Sequence, residues 1–177
     1  THLVPYGEYV PLKRFMPFIA PLVETVGDFT PGLIEQPLTV SGLKVGVLLC
    51  YESIFPEIGR MWVKNGANVL VNLTNDAWYG KSSAPYQSFG MVVFRAIETR
   101  RSVVRAANTG VSGFIDPTGR VQSSSEIFVP WAKRQTVLLG DTKTVYVKWG
   151  YLFAPFCLLT GCGALLISLF KKEKRLH

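Results

Sequence analysis

The stretch Val45–Glu57, VGVLLCYESIFPE, decides how the chain is read. Five apolar or glycine residues in a row have no helical spacing and are too few to span a membrane, so the run reads as a fully buried strand. It ends in Cys50, with Tyr51 and Glu52 directly behind it, where a strand hands over to a loop. A lone strand-end cysteine is most simply a small buried hydrophobe, because free cysteine is among the most buried residue types. Context has to lift Cys50 above that reading.

Working outward, PLTVSGLKVGVLLC reads as two strands around a Ser41-Gly42 turn, and IFPEIGRMWVKNGAN as a helix stopped by Asn65-Gly66. NVLVNLTND is a third strand, ending in the polar residues Asn72, Thr74, Asn75 and Asp76. YQSFGMVVFRAIETRR is a second helix, SVVRAANTG and VSGFIDPTGRV form a hairpin region, and TVLLGD is expected to be a last short strand. Strand, helix, strand, helix, then strands describes an α/β layered domain. Reactive groups in such folds gather at the carboxyl ends of the strands, where both Cys50 and the NLTNDAWYG loop fall.

The 177 residues, 48% of them hydrophobic, suffice for one substantial core with an appendage. Trp149 to Phe170 runs 22 residues without a charge, flanked by Tyr146, Trp149 and Tyr151, and is expected to cross a bilayer. The tail KKEKRLH carries four positive charges and one negative, which by the positive-inside rule makes that end cytoplasmic. The expected organisation is therefore an extracytoplasmic domain at 1–145, a transmembrane helix at 146–170 and a basic tail at 171–177. The remaining positive charge is spread thinly, without the basic helix or aromatic-interleaved stripe of a nucleic-acid binder. His2 and His177 stand at opposite ends and no Cys-x-x-Cys occurs, so no metal site is indicated, and no cofactor is expected. Cys157 and Cys162 lie inside the expected span as small apolar residues. The proline-studded HLVPYGEYVPLKRFMPFIAPL reads as a long greasy loop lying on the core or at the bilayer edge.

Together these segments resemble the nitrilase, or carbon-nitrogen hydrolase, superfamily, in which a Cys follows a buried strand and is trailed by an aromatic, an acid and FPE. LVPYGEYVPL, DFTPG, LLCYESIFPE, NLTNDAWYG and FRAIETRRSVVRAANTGVSGFIDPTG arrive in order, and with the closing apolar segment they are similar to the apolipoprotein N-acyltransferase branch. The resemblance implies a nitrilase-like α-β-β-α sandwich, here partial, with Cys50 as nucleophile. It implies transfer of a fatty acyl chain from a phospholipid, through a thioester, to the amino terminus of an apolipoprotein's diacylglyceryl-cysteine, on the periplasmic side of a bacterial inner membrane. An ordinary thiol is a poor nucleophile at neutral pH, so a base and an oxyanion-stabilising cation are needed. The family supplies a Glu and a Lys that would precede Thr1, and on that resemblance the chain is expected to be the C-terminal portion of a longer enzyme.

Glu8 matches a second Glu that the family keeps beside its active site, so the resemblance makes it a catalytic candidate with Cys50. Tyr51 and Glu52 are expected to shape the substrate pocket, with Glu52 turned away from the thiolate because like charge disfavours ionisation. Asn75, Asp76 and Trp78 either line the pocket or cap their loop. Arg95 and Glu98, at i and i+3, are expected to be a structural ion pair. Two alternatives stand: an inactive membrane-anchored remnant that binds lipid or lipoprotein, and an amidase acting on carbon-nitrogen bonds.

Overall fold

The computed structural model describes residues 32–34 and 36–173. The expected loop at 2–22, the DFTPG turn and Glu8 lie outside the described residues.

Six strands form one mixed sheet in sequence order: β1 (Leu38–Val40), β2 (Leu43–Leu49), β3 (Val69–Thr74), β4 (Val103–Ala107), β5 (Gly113–Ile115) and β6 (Val121–Ser124). β1 and β2 make a hairpin whose two-residue turn has positive φ at both Ser41 (47°) and Gly42 (84°), the turn geometry that matches strand twist. The centre is parallel: Leu49 registers with Leu73, and Leu73 with Ala106, so the carboxyl ends of β2, β3 and β4 lie side by side. β4, β5 and β6 then continue antiparallel.

Parallel strands need crossovers, and the two helices supply them. α1 (Pro56–Lys64) starts with proline in its first turn, where no N–H is wanted, and ends at Asn65 and Gly66, whose φ is 105°. α2 (Ala84–Thr99) likewise starts with proline and ends at left-handed Arg100. A short helix α3 (Val145–Trp149) completes the layer, held by Arg60 of α1, whose Nε donates to the Tyr146 carbonyl at 3.0 Å.

The core lies between these helices and one sheet face: Leu48, Leu70, Val103 and Ile115 from the strands meet Ile58, Val63, Val92, Ala96 and Val147 from the helices. Each of the Val, Leu and Ile side chains contributes about 1.5–3 kcal/mol by leaving water. Gly46 permits the close approach of β2 and α1, since a Cβ there would lie 2.7 Å from the Trp62 Cβ. Strand alternation puts Val47, Leu49, Val71, Leu73 and Val104 on the other face, where Leu49 is 56% exposed.

Two expectations are corrected. TVLLGD is not a strand: 136–141 is irregular, pinned where Ser102 Oγ donates to the Leu138 carbonyl (2.7 Å) and the Gly140 N–H to the Asn68 carbonyl (3.0 Å). These are single anchors to segments preceding β4 and β3, with no ladder to extend. The expected span at 146–170 is not one helix, because Gly150, at φ 76°, separates α3 from α4 (Phe153–Glu173). Trp149 thus falls outside α4, which instead takes in the charges of Lys171, Lys172 and Glu173. Among the described residues no helix is long and apolar enough to cross a membrane.

Candidate active site

Cys50 opens a 3-10 turn, Cys50–Ile54, at the carboxyl end of β2, and its φ is +46°. A non-glycine residue there carries about 1–3 kcal/mol of backbone strain, which persists only where the surroundings over-determine the conformation. They do so here. Ser53 Oγ donates to the Cys50 carbonyl at 3.0 Å, and Asn72 Nδ2 donates to the carbonyls of Leu48 (2.9 Å) and Cys50 (3.4 Å). From the far end of the turn, Arg95 Nη1 donates to the carbonyls of Ser53 (3.3 Å) and Ile54 (2.9 Å). The thiol-bearing residue is left half-buried.

Glu52 is buried and accepts the Leu49 N–H at 2.9 Å, so its carboxylate bridges the strand end onto the turn. Tyr51 packs edge-on against Phe55, ring centres 5.2 Å apart. Arg95 grips Glu98 with both Nε and Nη2, at 2.8 and 2.7 Å, the ion pair expected from their spacing. Burial outweighs that guanidinium and pushes the Glu98 carboxyl above the usual range.

Beyond β3, Asn75 Oδ1 accepts from the Ala77 N–H (3.2 Å) and from Asn108 Nδ2 (2.7 Å), which closes the loop on itself. Asp76 is buried, accepts from Thr74 Oγ1 at 2.8 Å and receives a second bond from Arg105 Nη2 at 2.7 Å. Trp78 is 86% exposed. Burial first, then the neighbouring Asp76 and Cys50, push the Tyr79 hydroxyl up.

Arg105 was not singled out from sequence, although it joins these parts. Its side chain is fully buried. Nη1 donates to Asn72 Oδ1 (2.6 Å), Nη2 to Asp76 and to Ser88 Oγ (3.0 Å), and Nε to the Val111 carbonyl (3.1 Å). Burial pulls its pKa down and the Asp76 carboxylate pulls it back. The sequence did hold a signal: in VVRAA the alternation puts Arg105 on the same face as core residue Val103, and a charge on a buried face demands partners.

Cys50, Asn72, Asp76 and Arg105 are thus brought together at the carboxyl ends of three adjacent parallel strands, with Glu52 turned onto the backbone. Among the described residues no hydrogen bond joins the Cys50 thiol to a carboxylate. The carbon-nitrogen hydrolase family model matches residues 1–136, most of the chain and all of this site. The chain belongs to the carbon-nitrogen hydrolase family. Its fold is the nitrilase-like α/β arrangement with a mixed sheet. Curated relatives include an apolipoprotein N-acyltransferase of Geobacter metallireducens, 43% identical over 176 residues, or 99% of this chain and 33% of that protein. Another, from Nitrosomonas europaea, is 40% identical over 168 residues, covering 93% of this chain and 34% of the relative. The chain therefore spans about a third of the length of these relatives. Among solved structures, a carbon-nitrogen hydrolase from Helicobacter pylori G27 is similar at 18% identity and a TM-score of 0.49, covering 56% of this chain and 42% of that one.

Proposed function

We propose that this carbon-nitrogen hydrolase chain carries the nucleophile side of a lipoprotein N-acyltransferase site. The observation that carries the reading is Cys50 itself: a half-exposed thiol on a left-handed elbow at a strand end, its carbonyl held by Asn72 and Ser53. Its relatives' shared name, apolipoprotein N-acyltransferase, supplies the substrate class.

In the reaction, the Cys50 thiolate attacks the carbonyl carbon of a phospholipid ester. The C–O bond breaks, the lysophospholipid leaves as an alcohol after taking a proton, and the acyl chain stays as a thioester. The amino group of a diacylglyceryl-cysteine then attacks the same carbon. The C–S bond breaks, the amine gives up a proton, and the amide product leaves behind the thiolate. The elbow serves both steps by holding sulfur in one place while the partner changes. A base and a cation are still required; the resemblance assigns these roles to a Glu and a Lys, and makes Glu8 a further catalytic candidate. Trp78 and Tyr79 are proposed to meet the substrates at the mouth, and Tyr51 to shape it.

The substrates are lipids, so the site has to work at a bilayer. α4 is proposed as the membrane-associating element: its apolar side chains, Phe153 and Leu159 among them, are exposed with no core to join. Under the positive-inside rule, the basic residues at its C-terminal end support a periplasmic seat for the domain at the inner membrane. The sheet face carrying Leu49 and Leu73, both exposed among the described residues, is proposed to receive the second sheet of an α-β-β-α sandwich.

The test is the intact mass of the native polypeptide carrying this sequence, purified in detergent from its host, before and after hydroxylamine. An adduct of one acyl chain that hydroxylamine removes, absent in Cys50→Ala, supports the reading. A polypeptide incubated with phospholipid that never carries a labile adduct refutes it and favours a binding role.

A further inference from the structure

Arg105 spends four of its five N–H groups on four separate segments: Asn72 in β3, Asp76 in the loop after it, Ser88 in α2, and the Val111 carbonyl before β5. Two of those contacts lead onward, one to the Cys50 turn and the other to the segment after β3. Through Asn72, whose Nδ2 donates to the Leu48 and Cys50 carbonyls, the guanidinium reaches the elbow that bears the sulfur. Through Asp76, whose N–H is tied to Asn108 Oδ1 and whose carbonyl accepts from the Tyr79 N–H, it reaches the Trp78-Tyr79 loop. The molecule even leaves room for this arrangement, because a Cβ on Gly110 would overlap the Asp76 carboxylate and lie 2.7 Å from its Cβ.

Arg101 provides the internal comparison. It is just as buried, but its acceptors are the carbonyls of Ala67, Thr99, Arg100 and Thr142, away from Cys50 and with no side chain among them. It fastens chain segments. Arg105 instead fastens three side chains, of which Asn72 in turn holds the Cys50 carbonyl.

We propose that Arg105 is a positioning residue for acyl transfer: one buried fork sets the Cys50 elbow, through Asn72, at a fixed separation from the Trp78-Tyr79 loop, through Asp76. The inference rests on the reading of Cys50 as nucleophile. Only a planar fork can hold both arms at once. A lysine at 105 keeps the charge but presents a single point of donors, so it can serve one arm and must release the other.

The experiment uses the native polypeptide in detergent with a phospholipid donor and a diacylglyceryl-cysteine peptide acceptor. It compares Arg105→Lys, Arg105→Gln, Asn72→Asp and, as control, Arg101→Lys. Asn72→Asp is nearly isosteric and keeps the acceptor for Arg105 while removing the amide donor to the elbow, so it tests the linkage should the Arg105 variants not fold. Expected is a loss in kcat of about 10²-fold, the cost of an ångström-scale misplacement, for the Arg105 and Asn72 variants, with KM nearly unchanged. Arg101→Lys should lower the melting temperature and leave kcat alone. Wild-type kcat in both Arg105→Lys and Asn72→Asp overturns the proposal, as does a kcat loss in Arg101→Lys equal to theirs. The rate of Cys50 alkylation by iodoacetamide, read in parallel without lipid, separates the two ideas. If wild type transfers no acyl chain yet alkylation changes by about tenfold or more in Arg105→Lys and Asn72→Asp only, the acyltransferase reading fails and the positioning role stands. If alkylation and kcat are both unmoved, the positioning role fails.

Discussion

Replacing Arg95 by methionine is expected to cost roughly 3–5 kcal/mol of stability, because it breaks a mostly buried ion pair from one side. The arginine side chain is 4% exposed and Glu98 24%, so the abandoned carboxylate has limited recourse to water. Two carbonyls of the Cys50 turn, Ser53 and Ile54, also lose their charged donor. At about 2–4 °C per kcal/mol for a chain of this size, the melting temperature should fall by roughly 6–20 °C. The loss should depend on pH with a definite sign. Burial already raises the Glu98 carboxyl and Arg95 opposes it, so without Arg95 the folded-state value climbs further above the unfolded one. Stability contributed by such a group is present below the unfolded value and disappears as pH rises through the folded one. The penalty of Arg95→Met should therefore be larger at pH 8 than at pH 4.5, and Arg95→Met/Glu98→Met should recover much of it. Thermal unfolding followed by circular dichroism across that range is the assay. A cost below about 1 kcal/mol, the scale of an exposed ion pair, or a double variant no more stable than the single one, would refute the argument.

Gly110→Ala should push Asp76 off Arg105 and, because that ion pair is fully buried, lower both kcat and the melting temperature, checked by kinetics beside thermal unfolding. The Asp116 carboxyl sits below its ordinary range, chiefly through the Thr118 hydroxyl and also through the N–H groups of Thr118 and Arg120. Asp116→Asn should consequently be less stable than wild type at pH 7, with the difference vanishing as acid titrates the wild-type group, read from unfolding midpoints between pH 7 and pH 2.5. Lysine at both Leu158 and Leu159 should shift the polypeptide from the membrane pellet toward the supernatant in fractionation, since each charge costs about 2.5–3.5 kcal/mol at a helix centre in lipid; unchanged partition refutes a membrane seat for α4.

Much of this architecture was readable because its signals are local. The β1 turn, the helix stop at Asn65-Gly66 and the buried strand into Cys50 each depend on a few neighbouring residues whose chemistry permits little else. The break at Gly150 was missed for the opposite reason. Hydropathy sees an unbroken apolar run, whereas Arg60, 86 residues away, holds the Tyr146 carbonyl and fixes a short helix before the glycine. Residues 136–141 misled similarly, since β-prone side chains there meet isolated acceptors and donors rather than a strand edge. At the site, the place of Cys50 at the carboxyl end of a strand was legible from the apolar run before it. Asn72 and Arg105 were not singled out as site residues, because their roles exist only once β2, β3 and β4 lie in register.

The sheet's strands lie side by side in the order in which a ribosome would deliver them. Each strand finds its partner already made, so the sheet can grow outward from one edge without threading. The cradle of Cys50, however, is assembled late. Cys50 emerges first, Asn72 follows 22 residues on, and Arg105 arrives another 33 residues later, after the whole of α2. At synthesis rates of roughly 5–20 residues per second, the elbow spends several seconds without its brace. Reactivity of the thiol in a nascent chain should thus lag its exposure from the exit tunnel until the third parallel strand has docked.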